Sequence, residues 1–473
     1  MTQCNRATSP LHPLGRREVV ANFDGGTITS DGGAILLREL ENRNGIVRRF
    51  AKCFTDHRDP ELIEHTVYDL VAQRVFGLAL GYEDLNDHDT LRLDPLLAVL
   101  VGKEDPTGED RARARDQGKA LAGKSTLNRL ELTPPGADES SRYKKIVASC
   151  ESIEKVFVDV FLAAHPTPPK RIVLDLDATD DPIHGNQLGR FFHGYYKNYC
   201  YLPLYIFCGE HLLCAKLRPS NIDASAGSTD ELQWIVAAIR AAWPTVEITI
   251  RGDSGFCRDA IMAWCERENV GFILGLAKNT RLNAILAPEM QQAKEQFEKT
   301  AVATRVFKDF EYQTLDSWTR ARRTVGKAEH LAAGANPRFV VTSLSREEFD
   351  AATLYEKQYC ARGEMENRIK EQQLYLFADR TSAHTMRANQ LRLWFSSIAY
   401  TTLVALRQQG LAGTELESAR CDTIRLKLLK IGARVQVTVR KIWLSLSEAY
   451  PYRRIFEQAM ANICRVAPMP LRC

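Results

Sequence analysis

A chain of 473 residues has room for roughly two to four domains and a large buried core. Its hydrophobic content of 45% and charged content of 26% are ordinary, and a net charge of only +4 excludes a generally polycationic binder, so any DNA-facing basic surface must come from local clustering. Twelve cysteines without a Cys-x-x-Cys pair, and without histidines at zinc spacing, exclude a zinc ribbon and read as small buried thiols in a reducing compartment.

In chain order, Met1 to Arg17 is polar and proline-bearing with no apolar signal core, and no later run is long enough to span a bilayer. The expectation is a cytoplasmic protein without membrane contact. Asp24-Gly-Gly26 and Asp31-Gly-Gly33 read as turns, the second feeding a helix over 34–40. Leu62, Ile63, Tyr68, Val71 and Val75 recur at helical spacing over 60–76, and another helix is expected near Asp94-Pro95. Gly118-Lys-Ala-Leu-Ala-Gly123-Lys124-Ser125 fits the nucleotide-binding pattern G-x-x-x-x-G-K-[ST]. That loop works only when a buried strand precedes it, and here Glu109-Asp-Arg-Ala-Arg-Ala-Arg-Asp116 is charged throughout. ATP binding is therefore not expected. Lys124, Arg129 and Arg111 to Arg115 read instead as a basic face, solvated or turned to DNA.

After Pro166-Thr-Pro-Pro169 the chain becomes strand-rich. Strands are expected over 171–177, 201–207, 211–217, 246–250 and 271–276, with helices over 229–243 and 258–268, a mixed α/β pattern. Residues 305–312, 320–325 and 338–342 read as further β-structure. Helices follow over 354–368 and 385–406. A hairpin is expected between 424–429 and 433–439, turning at Ile431-Gly432.

Three carboxylates stand out. On the first of these strands Asp175 and Asp177 share a face opposite Ile172, Leu174 and Leu176. Two acids on one face of an apolar strand call for a cation, either a bound metal or a basic side chain. Asp253 emerges just past Arg251-Gly252 at a strand's carboxyl end, where α/β sheets gather their sites. A helix would align Tyr359, Arg362, Glu366, Lys370 and Gln373 in one stripe, either a face for metal and phosphate or an exposed ladder of ion pairs. Two strand carboxylates and a helical one can together hold two divalent ions for phosphodiester chemistry. Oxygen-only ligands favour Mg²⁺ or Mn²⁺ over zinc.

These segments resemble the DDE transposases of bacterial insertion sequences, in the branch with a Tyr-x-x-Arg-x-x-x-Glu-x-x-x-x-x-x-Lys signature. Tyr359, Arg362 and Glu366 match in place; the last position is Gln373, with Lys370 one turn past the glutamate as its substitute. The family's Asp-x-Thr matches Asp177-Ala-Thr179, which favours Asp177 over Asp175. Arg251-Gly-Asp253-Ser-Gly-Phe256 resembles the second-aspartate segment, and the likeness runs over roughly residues 19–410.

The resemblance implies a mostly helical DNA-binding region (1–150), then a ribonuclease-H-like mixed sheet (166–285). A β-rich insertion (286–350), catalytic helices carrying Glu366 (351–410) and a C-terminal region with a hairpin (411–473) would follow. It implies a catalytic set of Asp177, Asp253 and Glu366 holding two Mg²⁺ or Mn²⁺ ions, supported by Asp175, Thr179, Tyr359, Arg362, Asn367 and Lys370. Lys124, Arg129, Arg320, Arg322 and Arg323 are expected to meet DNA, and Trp318 to stack on an unpaired base. The partners expected are double-stranded DNA, as element ends and target, and a second copy of the chain at synapsis, in the nucleoid-bearing cytoplasm. Two other readings share the fold: a DNA-binding protein that no longer cuts, and a nuclease without strand transfer.

Overall fold

Helices dominate the first third of the chain in the computed structural model, which describes residues 9–468. Residues 1–8 of the first expected region and 469–473 of the last lie outside the described residues. Helix α1 (Ile35–Asn44) buries Leu36, Leu37 and Leu40 and runs one turn beyond the expected segment. Gly45, at φ 62°, stops it in the left-handed conformation that glycine adopts without strain. The helix expected from Pro60 starts later: Pro60–Leu62 is a lone 3-10 turn, and α2 (Val67–Ala79) begins where Thr66 and Asp69 form a reciprocal cap. Helix α3 (Cys150–Ala163) leads into the sheet.

The strands expected after Pro169 form one nine-stranded mixed sheet. They are β1 (Arg171–Ala178), β2 (Leu204–Cys208), β3 (His211–Lys216), β4 (Glu247–Gly252) and β5 (Gly271–Leu276). To these are added β6 (Thr304–Tyr312), β7 (Arg322–Leu331), the two-residue strand Gly334–Ala335 and β8 (Arg338–Thr342). The order is β3-β2-β1-β4-β5-β8-β7-β6, with Gly334–Ala335 on β7. Strands β1, β4 and β5 run parallel, and every other pairing is antiparallel.

The β-rich segment expected over 286–350 is continuous with the main sheet. The segment is entered by a helix and its strands extend the main sheet from the free edge of β5. Helix α4 (Ser228–Ala242), α5 (Asp259–Arg267) and α6 (Thr280–Thr300) cover one face, where Leu174, Leu176, Ile235, Met262, Leu282, Leu286 and Val341 share a core. On the other face Ile273, Val325 and Val340 meet Leu354 and Tyr355. The added strands thus give the Glu366-bearing helix a surface to lie on.

That helix is continuous from Ala351 to Tyr375 but uneven: π turns at Leu354–Tyr359 and Glu371–Tyr375 flank a 3-10 turn and α7 (Gly363–Lys370). Helix α8 (Met386–Ala405) is buried on nearly every side, and its Leu393, Phe395 and Ile398 share one core with Leu70, Phe76 and Phe50 of the first third. The N-terminal helices complete the molecule's larger core and are not a self-contained unit.

The expected C-terminal hairpin is displaced. Residues 421–429 are helical because Ile424, Leu428 and Leu429 are buried at helical spacing while Leu426 is exposed. The observed hairpin pairs Ala433–Val437 with Ile442–Leu446 and adds Ile28–Thr29 as a third strand. The terminal helix α9 (Arg453–Arg465) buries Ala459 and Ile463 in the same core. Among the described residues no helix is long and apolar enough to cross a membrane, and their ten cysteines are free thiols.

Candidate active site

Strand alternation turns Asp175 and Asp177 away from the face carrying Leu174 and Leu176, toward the helix 351–375. The two acids then meet different cations. Arg251 of β4, directly opposite Asp175 in the parallel register, grips it through Nε at 2.5 Å and Nη2 at 2.8 Å. Its remaining Nη1 donates to the Gln358 carbonyl, one residue before Tyr359. One guanidinium therefore joins the three elements that carry the site. Asp175 is buried and fully engaged as this counterion.

Asp177, one turn of the pleat further on, accepts from Arg362 Nη1 at 3.2 Å. Arg362 Nη2 also donates to Glu366 Oε1 at 2.7 Å, an i,i+4 pair along the helix. Asp253 caps the 3-10 turn Ser254–Phe256 by accepting from the Gly255 amide at 2.8 Å. Burial pushes the Asp177 carboxyl up to about 6; Arg362 opposes the rise, and the charges of Asp253 and Glu366 add to it. Burial lowers and the surrounding acids raise the Arg362 pKa, with the net direction upward. Two carboxylates from two elements thus share the Arg362 guanidinium, and Asp253 lines the same cavity as that arginine.

Tyr359 completes the cluster. Burial raises its phenol, Arg362 opposes, and Asp253 adds to the rise. A Cβ at Gly275 would lie 2.5 Å from the Tyr359 hydroxyl and 3.0 Å from the Ser254 amide, so only glycine lets β5 pass this close. A cavity of about 410 Å³ opens beside the cluster, lined by Asp253, Ser254, Lys278, Arg338, Tyr359 and Arg362. Thr179 is half-buried just past β1, while Asn367 and Lys370 are exposed on α7. Gln373, in the second π turn, donates its amide to the Asp180 carbonyl at 3.0 Å, so the residue at the signature's last position reaches the end of β1.

Among the described residues no group of three His, Cys, Asp or Glu side chains lies close enough to share a metal ion. With the side chains as placed, Arg362 supplies the positive charge between Asp177 and Glu366. Carboxylate oxygens, the donors that Asp177, Asp253 and Glu366 carry, are of the hard type that Mg²⁺ and Mn²⁺ take.

The residues expected on DNA divide. Lys124 and Arg129 line a cleft of about 700 Å³ together with Arg74, Arg380 and Arg392. Lys124 Nζ reaches Asn86 Oδ1 at 3.0 Å, and Arg129 stacks 4.8 Å from the Tyr143 ring. The glycine-lysine loop is entered from a 3-10 turn at Ala114–Asp116. Asp89 accepts from the Lys124 amide at 3.1 Å, so a carboxylate already holds that helix start.

Arg322 and Arg323 are not DNA-facing. Arg322 is held between Asp259 and Glu266 at 2.7 Å each with its side chain 1% exposed, and Arg323 pairs with Asp309 at 2.6 Å and with three backbone carbonyls. Both tie β7 to its neighbours. Arg320 shares Glu266 but keeps its guanidinium outside. Trp318 is 6% exposed, edge-on to Tyr312 at 5.7 Å and beneath Arg322, so it packs inside the fold and offers no face for a base.

Sequence reading passed over the Arg251 tie. Its signal was present: a lone arginine inside the apolar strand 246–252, two residues before Asp253, as Asp175 stands two before Asp177. Parallel register makes such a pair face each other.

The family model described as "Transposase DDE domain group 1" matches residues 11–468. No curated protein matches the chain. Among solved structures it is similar to the cryo-EM structure of a piggyBac transposase synaptic complex with hairpin DNA, at 11% identity and a TM-score of 0.40, over 94% of this chain and 87% of that one. With a match over nearly its whole length, the chain belongs to the transposase DDE domain group 1 family and is a DNA-acting enzyme of the DDE-transposase type.

Proposed function

We propose that the chain is the transposase of a bacterial insertion sequence, of the Tyr-Arg-Glu branch. It would cut the phosphodiester at its element's ends and join the freed 3′-hydroxyls to target DNA, acting as a pair of copies at synapsis. The observation that carries this reading is that Arg362 pairs with both Asp177 and Glu366, while Asp253 lines the same cavity as Arg362. Strand order supports it: β3-β2-β1-β4-β5, with β2 antiparallel and β4 and β5 parallel to β1, is the arrangement expected of a ribonuclease-H-like domain.

Asp177, Asp253 and Glu366 would hold two Mg²⁺ or Mn²⁺ ions where Arg362 now balances their charge. Bound there, such ions supply Lewis-acid activation of the phosphodiester and a water of lowered pKa. The chain's own groups do the positioning. Arg251 fixes β1, β4 and the Glu366 helix relative to one another. Arg362, freed from the carboxylates, offers a planar fork for a phosphate oxygen pair. Lys278 and Arg338 flank the cavity with further positive charge. Duplex contacts away from the site fall to the cleft of Lys124 and Arg129.

Protein incubated with DNA carrying the element's ends, a target plasmid and Mg²⁺ tests the proposal. Joined products that vanish with EDTA are expected. Cleavage without joining would reassign the chain as a nuclease, and binding without either as a DNA-binding protein.

A further inference from the structure

Between β1 and β2 the chain makes a three-stranded flap, in which Asn198–Tyr201 pairs with both Asp181–Pro182 and Phe191–His193. Phe192 stands directly opposite Tyr199, so both rings share a face, 5.6 Å apart and edge to face. The Arg190 guanidinium lies 4.6 Å from the Tyr199 ring centre. The run Arg190 to Lys197 mixes cations and aromatics, which in sequence fits either a DNA contact or half-buried strand aromatics; Phe192 is 58%, Tyr199 49% and Tyr195 83% exposed. Phe192 and Tyr199 form a ring pair open to water, with Tyr195 exposed on the turn that joins their strands, and exposed apolar surface of this kind marks an interaction surface. Arg190 and Lys197 face solvent at least in part, Asp181 is buried, and the half-buried Asp180 accepts from Asn198.

The patch is fixed in place beside the carboxylates. Tyr196 donates its hydroxyl to the Ala178 carbonyl at 3.2 Å, next to Asp177, and Asn198 donates to Asp180 at 2.9 Å. On the other side Ser220 donates to the Phe191 carbonyl at 2.9 Å. Duplex DNA hides its base faces and would be met by charge alone. Exposed rings interleaved with cations instead match a strand whose bases are unpaired and whose phosphates run alongside.

We infer that Phe192, Tyr199 and Tyr195 form a stacking platform for unpaired bases of the DNA strand whose phosphodiester enters the Asp177 site, an inference that rests on the function proposed above. Stacking on such rings is sequence-tolerant and is worth roughly a tenfold change in affinity or more for each base.

The test uses the full chain and two probes of one sequence, a blunt duplex and the same duplex with a short unpaired end carrying 2-aminopurine. Wild type is expected to bind the unpaired-end probe roughly tenfold more tightly and to quench its fluorescence. Phe192→Ala/Tyr199→Ala should bind both probes alike without quenching, and Phe192→Trp/Tyr199→Trp should restore preference and quenching. Absence of preference in wild type, or its survival in the alanine variant, overturns the inference. So does conversion of a wild-type dimer to monomers by the alanine changes, which would make the patch a contact between copies. Asp177→Asn, measured alongside, separates the two claims. It should keep the quenching and lose cleavage. A wild type that cuts element ends without quenching refutes the platform alone; one that quenches but never cuts refutes the function proposed for the carboxylates.

Discussion

Arg251 is the side chain on which most of the site's geometry turns. Removing it would strand Asp175 as a buried charge, destabilising the fold by about 3–5 kcal/mol. Replacing the pair together is milder, because buried ion pairs exchange for apolar residues at little net change. Arg251→Met/Asp175→Leu is therefore expected to fold with near-native thermal stability. It should still lose turnover by roughly a hundredfold, since the tie to the Gln358 carbonyl is gone and the carboxylates no longer hold their spacing. Single-turnover cleavage with DNA affinity measured in parallel checks this; unchanged cleavage would show that Arg251 only stabilises.

Two buried histidines of the helical first third make the fold sensitive to acid. His65 receives Arg111 Nη1 at 2.8 Å and His88 receives the Gln73 amide at 3.0 Å, so each imidazole accepts and is held neutral. Burial, with nearby cations, lowers both to about 3. The unfolded chain binds these protons below about pH 6.5 and the folded one does not. The stability that these two histidines contribute is thus complete above that pH and falls as pH drops toward 3, by up to about 1.4 kcal/mol per unit for each. Denaturant unfolding at pH 7 and pH 5 should show the loss, and His65→Gln/His88→Gln should reduce it. Equal slopes in both proteins would place the acid sensitivity elsewhere.

At the scale of elements, what the sequence showed depended on whether pattern and pairing agreed. Strands β1, β4 and β5 were legible because short apolar runs lay between clear turns, and the three acids were legible because they interrupt or end such runs. Helix α6 carries only a weak signal in the sequence. Leu282, Leu286 and Ala293 do recur at helical spacing, but Pro288 sits among them and the rest of the segment is polar. The extra strands were read as β-structure, yet local pattern carries no information about which edge they join; only the free β5 edge decided that. Trp318 and the arginines after it looked available because charge and aromaticity are visible in sequence, whereas the partners Asp259, Glu266 and Asp309 come from distant segments. In the flap, Phe192 and Tyr199 stay exposed because no second layer covers them.

The N-terminal helices illustrate the same limit. Their apolar faces predict helices correctly but not a domain, because the partner face is α8, more than two hundred residues later in the chain. Residues 1–150 produced alone should therefore show no cooperative unfolding transition by circular dichroism. A fragment that melts cooperatively and binds element ends unaided would restore the picture of a detachable DNA-binding unit.

Over the whole molecule, a sheet extended from five strands to nine carries the helix whose Arg362 joins Glu366 to Asp177, and the N- and C-terminal segments complete the larger core. The central claim is that three carboxylates from residues 177, 253 and 366 act as one DNA-breaking centre. The most direct measurement is Mg²⁺-dependent cleavage of element-end DNA by Asp177→Asn, Asp253→Asn and Glu366→Gln, each compared with its binding to the same DNA. The account predicts that all three keep binding and lose cleavage to background. Full cleavage by any one of them would contradict it.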